Sequence, residues 1–228
     1  MIEPISPKRP GIRRTLMDIP RSVGSEEVFL TVEGSPGWPY SADRENMQSR
    51  DRAWVYVVYI GALRASEALR IRASQFVYDS KKKAWVIKGV KLSKEQTVRH
   101  LKDGTVKVRP RIHTYRESVM LPMKGERAAM TERIIAYVKT LEGDAKLFPF
   151  GVERGRQIVK SLTGGTWNEA TKNFDGGLWS HYFRAQGERY LYRRWKRDLI
   201  RTAAYLEVDP RTLLKYLQSE ETASLPAV

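Results

Sequence analysis

The stretch that most constrains the fold is DRAWVYVVYIGAL, residues 51–63. From Ala53 to Leu63 every residue is apolar except Gly61. A helix without a polar face cannot lie on a surface and has to be enclosed by other elements. Its apolar part is also far short of the roughly 20 residues that span a bilayer. The run therefore predicts a helix at the centre of a globular core, interrupted at Gly61. Arg64 follows at once. A charge placed there either snorkels out of the core along its own apolar stem or is held for a charged partner.

Around this helix the chain reads as α+β and mostly α, a helical bundle with one small antiparallel β-sheet. Residues 1–45 are rich in Pro, Gly and Ser (SPKRPG, EGSPGWPYS) and predict a basic arm or linker with little regular structure, with a short strand at 28–32 (VFLTV). SEALRIRASQF predicts a second helix, capped by Ser66 or by the turn before it. KAWVIKGVKL (83–92) and RESVMLPM (116–123) predict paired strands. The long polar connection between them carries the turn signal KDGT (102–105), so the hairpin is extended or holds a further ribbon. From Glu126 the apolar period is helical, through Met130, Ile134, Ile135, Val138 and Leu141. RGRQIVKSL (154–162) starts another helix, GGTWNEATKNFDGG is expected as a loop, and residues 179–208 read as two helices. The last helix, 209–218, has Asp209 as N-cap and Pro210 at its first position.

Composition bears on partners. Forty-one Lys and Arg oppose 26 Asp and Glu, a formal net charge of +15. Such an excess favours phosphate-rich polyanions, and its spread along the chain fits nucleic acid better than a membrane surface. The chain has no cysteine, so disulfides and thiolate metal sites are excluded, and its three histidines form no zinc motif. The N-terminus has basic residues without a following apolar core, so it does not read as a secretory signal. The expectation is an intracellular protein, cytoplasmic or nucleoid-associated, or nuclear in a eukaryotic host.

The residues suited to chemistry form a three-part constellation: Arg64 in GALRASE, His181 and Arg184 in SHYFR, and Tyr216 in the terminal helix. His181 and Arg184, three apart, share a helix face. Two arginines can grip one phosphate through bidentate hydrogen bonds and neutralise the charge that builds up in phosphoryl transfer. A tyrosine hydroxyl can then attack phosphorus and hold it as a covalent ester. Taken singly these residues also read as a snorkelling arginine, a surface pair and a packing tyrosine. Their order and spacing give them joint weight.

On these residues the chain resembles the catalytic domain of the tyrosine recombinases, the phage-type and archaeal-virus-type integrases. RDRAWVYVVYIGALRASEAL is similar to the family's first box, with G-A-L-R in place of T-G-L-R. RESVMLP resembles the strand leaving the β-hairpin, DAKLFPF the Leu-Phe landmark, and HYFR the H-x-x-R box. Tyr216 lies 32 residues after Arg184, a separation typical of the family. The match covers roughly residues 46–218, with 219–228 left as a tail that either docks on a neighbouring protomer or frays.

The resemblance implies Arg64 and Arg184 as phosphate clamps, Tyr216 as nucleophile, and His181 as general acid/base or hydrogen-bond donor. It also implies a hairpin lysine that protonates the leaving 5′-hydroxyl. Lys88, Lys91 and Lys94 are the candidates, and Lys91 is preferred for its place at the strand end. It further implies double-stranded DNA as partner, self-assembly on DNA as dimer to tetramer, no cofactor, and a role in integration or recombination of a mobile element, virus or plasmid.

Two features depart from the family pattern. Nine residues before Tyr216, where the family has His or Trp, stands Glu207, a carboxylate that a phosphate repels unless it is protonated or turned to an arginine. The family's N-terminal helical domain is also replaced by some 45 loop-like residues, so the chain is either a catalytic fragment or a minimal enzyme whose basic arm (Lys8, Arg9, Arg13, Arg14) tracks the DNA backbone. Tyr205 is the alternative nucleophile, although it lies early and is expected to pack on the preceding helix. Two further readings share the fold: a type IB topoisomerase-like relaxing enzyme and a non-catalytic DNA-binding protein.

Overall fold

The computed structural model describes residues 24–40, 43–93, 98–100, 106–108 and 113–221. The basic arm, Lys94, the KDGT turn and the end of the tail lie outside the described residues. Helix α1 spans Ser25–Gly34, where a strand was expected at 28–32. Ser25, Val28 and Val32 are its buried residues, at spacings of three and four, while Leu30 is exposed. Burial thus follows the helical period, and Phe29 stacks on Tyr56 of the next helix. The segment after α1 is also packed down. Trp38 meets Trp167 and Phe174 edge-on, and Gln48 donates to the Pro36 carbonyl.

Helix α2, Arg44–Gly61, is the predicted central helix, and from Ala53 to Ile60 its side chains are almost wholly enclosed. It ends in a Schellman turn. Ala62 takes a left-handed conformation (φ 47°), its N–H bonds to the Tyr59 carbonyl, and that of Leu63 bonds to Val58. Helix α3, Ala65–Ala68, is a single turn. The longer helix expected here is absent because the following backbone pairs elsewhere. The Ile71 carbonyl accepts from Leu147, and the Ala73 N–H donates to Ala145. The chain then passes a 3₁₀ turn, Ala73–Gln75, into a strand.

That strand, β1 (Phe76–Asp79), joins β2 (Ala84–Ser93) and β5 (His113–Leu121) in an antiparallel sheet of order β1-β2-β5. Ile87 lies opposite both Phe76 and Val119. Between β2 and β5, the strands β3 (Val98–His100) and β4 (Val106–Val108) pair as the extra ribbon. Helix α4, Ala128–Val138, packs on α2, and α5, Val152–Ser161, follows. The expected 164–177 loop contains a small hairpin, β6 (Thr166–Asn168) with β7 (Asn173–Asp175). Its turn is built by Asn168, whose Oδ1 accepts from the N–H groups of Ala170 and Thr171.

Three helices close the fold: α6 (Ser180–Arg194), α7 (Leu199–Leu206) and α8 (Pro210–Glu221). The start of α8 is as expected, with Asp209 Oδ1 accepting from the Arg211 N–H at 2.7 Å. Leu191, Tyr192, Ala203, Leu206, Leu213 and Leu217 form a second small core, which Ala62 joins from the end of α2. Among the described residues no helix is long and apolar enough to cross a membrane.

Candidate functional site

Arg64 leaves the Schellman turn as the N-cap of α3. Its backbone N–H donates to Glu67 Oε2 at 2.7 Å and its Nη1 to Glu67 Oε1 at 2.9 Å. The side chain is 39% exposed, whereas that of Glu67 is 2% exposed. The arginine is therefore anchored by a buried carboxylate while its side chain stays partly exposed, so it does more than snorkel.

Arg184 approaches the same carboxylate from α6. Its Nη1 lies 4.0 Å from Glu67 Oε2, and its Nε donates to Glu188 Oε1 at 2.8 Å. Both Glu67 and Glu188 are buried. Burying a charged arginine is tolerable only with such partners, and together they hold the guanidinium plane in place. The helix carrying Arg184 crosses α2 closely. A Cβ built on Gly187 would lie 2.1 Å from the Tyr59 carbonyl oxygen, so only glycine permits this approach.

His181 sits one turn before Arg184 and is half-buried. Burial first, then the positive charges of Arg184 and Arg64, push its imidazole below the ordinary value of 6.5, with Glu188 acting in the opposite direction. The ring is accordingly neutral near pH 7 and able to accept a proton. The structure thus brings Arg64, His181 and Arg184 together.

A cleft of about 540 Å³ opens beside Arg64, lined also by Glu207, Val208, Asp209 and Thr212. The first turn of α8 forms one wall. Position 216 falls one turn beyond Thr212 on the same helix face. Glu207 takes a left-handed conformation at the end of α7 (φ 52°) and lines this cleft with Arg64. Tyr205 is packed, as expected, with its ring edge-on to Trp195 at 5.0 Å. Of the hairpin lysines, Lys88 is exposed and opposite Ser118, while Lys91 is half-buried and opposite Tyr115.

Sequence reasoning missed three residues. Glu67 carried a signal, an acid three residues after an N-cap position, the spacing of a capping box. Glu188 carried another, four residues after Arg184 on a helix. Arg116 carried none: it is a charged residue within strand β5, yet its side chain is buried and donates to the Gly61 and Leu206 carbonyls.

No family model and no curated protein matches the sequence. Among solved structures the chain is similar to the XerH site-specific recombinase bound to palindromic difH substrate in a post-cleavage complex. The two are 17% identical with a TM-score of 0.51, covering 90% of this chain and 52% of that one. The pre-cleavage complex of XerH with difH gives the same identity and TM-score, with 91% and 53% covered. The chain thus spans about half the length of the solved chains it matches. Its helices and small antiparallel sheet have the fold of the tyrosine-recombinase catalytic domain.

Proposed function

We propose that the chain breaks and rejoins DNA as a site-specific tyrosine recombinase, with Tyr216 as nucleophile. The observation that carries this reading is the meeting of Arg64 and Arg184 on Glu67, with His181 beside them and the helix of Tyr216 starting at the same cleft. Arg64 and Arg184 bind the non-bridging oxygens of the scissile phosphate and neutralise the charge that grows on them. His181, held neutral, takes the tyrosine proton as the phenolic oxygen attacks phosphorus. The bond to the 5′-oxygen breaks, Lys91 gives that oxygen a proton so that it leaves as a 5′-hydroxyl, and a 3′-phosphotyrosyl ester remains. Attack by another strand's 5′-hydroxyl reverses these steps and releases the tyrosine. One phosphoester replaces another, so no external energy source is needed.

Two protein–DNA complexes of XerH with this fold support DNA as the partner, as does the +15 charge. Strand exchange between two duplexes requires several protomers, and residues 219–228 are proposed to contact a neighbour.

A nicked suicide substrate, which loses its 5′-hydroxyl fragment after cleavage, tests the reading. Wild type is expected to form a DNA adduct stable to boiling in detergent, and Tyr216→Phe none. Absence of the wild-type adduct would defeat the enzyme reading, and an adduct from Tyr216→Phe would defeat the assignment of the nucleophile. Arg64→Ala is expected to slow adduct formation by about 10²- to 10³-fold while most salt-sensitive DNA affinity persists. Parallel loss of both would make Arg64 a structural residue.

A further inference from the structure

Arg116 lies on β5 opposite Val90, with 4% of its surface exposed. Its hydrogen bonds go to main-chain carbonyls of two segments far apart in sequence. Nη1 donates to the carbonyl of Gly61, the last residue of α2, and Nη2 to that of Leu206, the last residue of α7, at 3.3 Å. The guanidinium also lies 5.2 Å from the ring centre of Tyr205, which rests on Trp195.

Both carbonyls lie beyond the turns that close their helices. Those turns engage Val58 and Tyr59 at the first corner, and Ala203 and Ala204 at the second. Each helix C-terminus also carries partial negative charge. Two such ends therefore converge on one buried cation. The arrangement has a cost, because Arg116 Nε is buried with no acceptor and a guanidinium is expensive to desolvate. An apolar side chain of similar length would fill the space without that cost, but it could not join the two helix ends.

What these ends lead into gives the joint its meaning. Gly61 is three residues before Arg64, and Leu206 immediately precedes Glu207 and the corner from which α8 departs. We propose that Arg116 is a positioning residue: it fixes the separation of the Arg64 turn and the α7–α8 corner, so that phosphate clamp and nucleophile helix face each other across the cleft. This rests on the function proposed above. Arg116 touches no reacting atom; it acts through the two segments it ties together.

The test compares wild type, Arg116→Met and Arg116→Lys. Met keeps most of the apolar stem and removes every donor. Lys keeps the charge but lacks the planar fork that spans two carbonyls, and it serves if the Met variant fails to fold. Adduct formation on the nicked substrate is measured in single turnover at saturating DNA, well below each variant's melting temperature, alongside equilibrium binding to intact DNA. The expected result is a loss of about 30-fold or more in the saturated rate for both variants, with binding within about threefold of wild type. Rates per folded molecule equal to wild type would overturn the proposal and leave Arg116 a stabilising residue only. Loss of binding in parallel with rate would also overturn it. Absence of an adduct from wild type itself would instead defeat the enzyme reading, and this proposal with it.

Discussion

Glu67 gathers the charges of the site. It fixes Arg64 through both main chain and side chain, and it faces Arg184 from the other side. Because it is buried, removing its carboxylate leaves the buried Arg184 facing Arg64 with no negative charge between them. Glu67→Ala is therefore expected to lower stability by about 3–5 kcal/mol, measured by denaturant unfolding. A change within the ordinary surface range, below about 0.5 kcal/mol, would contradict the burial argument. His181 gives a second prediction at this scale. Its folded-state pKa is depressed, so as pH falls below about 6.5 the unfolded chain takes up the proton first. Its contribution to stability is complete above that value and is lost as pH falls through the folded-state pKa. Its NMR titration midpoint should lie below 6.5, and His181→Gln should flatten the acid side of the stability profile in that window. A midpoint at or above 6.5 would contradict the depression that burial, with the two arginines, imposes on the imidazole.

The elements hold these residues through two points of tight geometry, the left-handed turn at Ala62 and the crossing of α6 over α2 at Gly187. At Ala62 glycine adopts the same backbone without strain, whereas a β-branched residue does so poorly. Ala62→Gly is expected to leave stability nearly unchanged and Ala62→Val to cost about 3 kcal/mol, since the site is also fully buried. Gly187→Ala forces the helices apart and is expected to cost a similar amount; calorimetric melting temperatures check all three. Local patterns made much of this level legible. The apolar run at 53–63, the β2–β5 pair and the Asp209–Pro210 start of α8 each carry their own signal. Long-range pairing decided the rest. VFLTV reads as a strand because Val28, Phe29 and Leu30 are contiguous and β-prone, whereas the burial of Val28 and Val32 and the stacking of Phe29 on Tyr56 select the helical period. The chain leaves the helix because the Ile71 carbonyl and the Ala73 N–H pair with Leu147 and Ala145, which no local pattern reveals. The same holds within the site: Arg64, His181 and Arg184 stood out through motif spacing, whereas Arg116 emerges only when two helix ends meet.

At the scale of the whole molecule, one core built around α2 carries the Arg64 turn, and a smaller core under α6–α8 carries the helix of Tyr216. Ala62 packs into the second core from the end of α2, so the catalytic proposal depends on how these two parts are joined. In this proposal Tyr216, and no other tyrosine, becomes bonded to DNA. Mass spectrometry of the protease-digested suicide-substrate adduct tests it most directly. The peptide containing Tyr216 is expected to carry the nucleotide remnant on the phenolic oxygen, while the peptide containing Tyr205 is unmodified. A remnant on Tyr205, or on any residue outside α8, would contradict it.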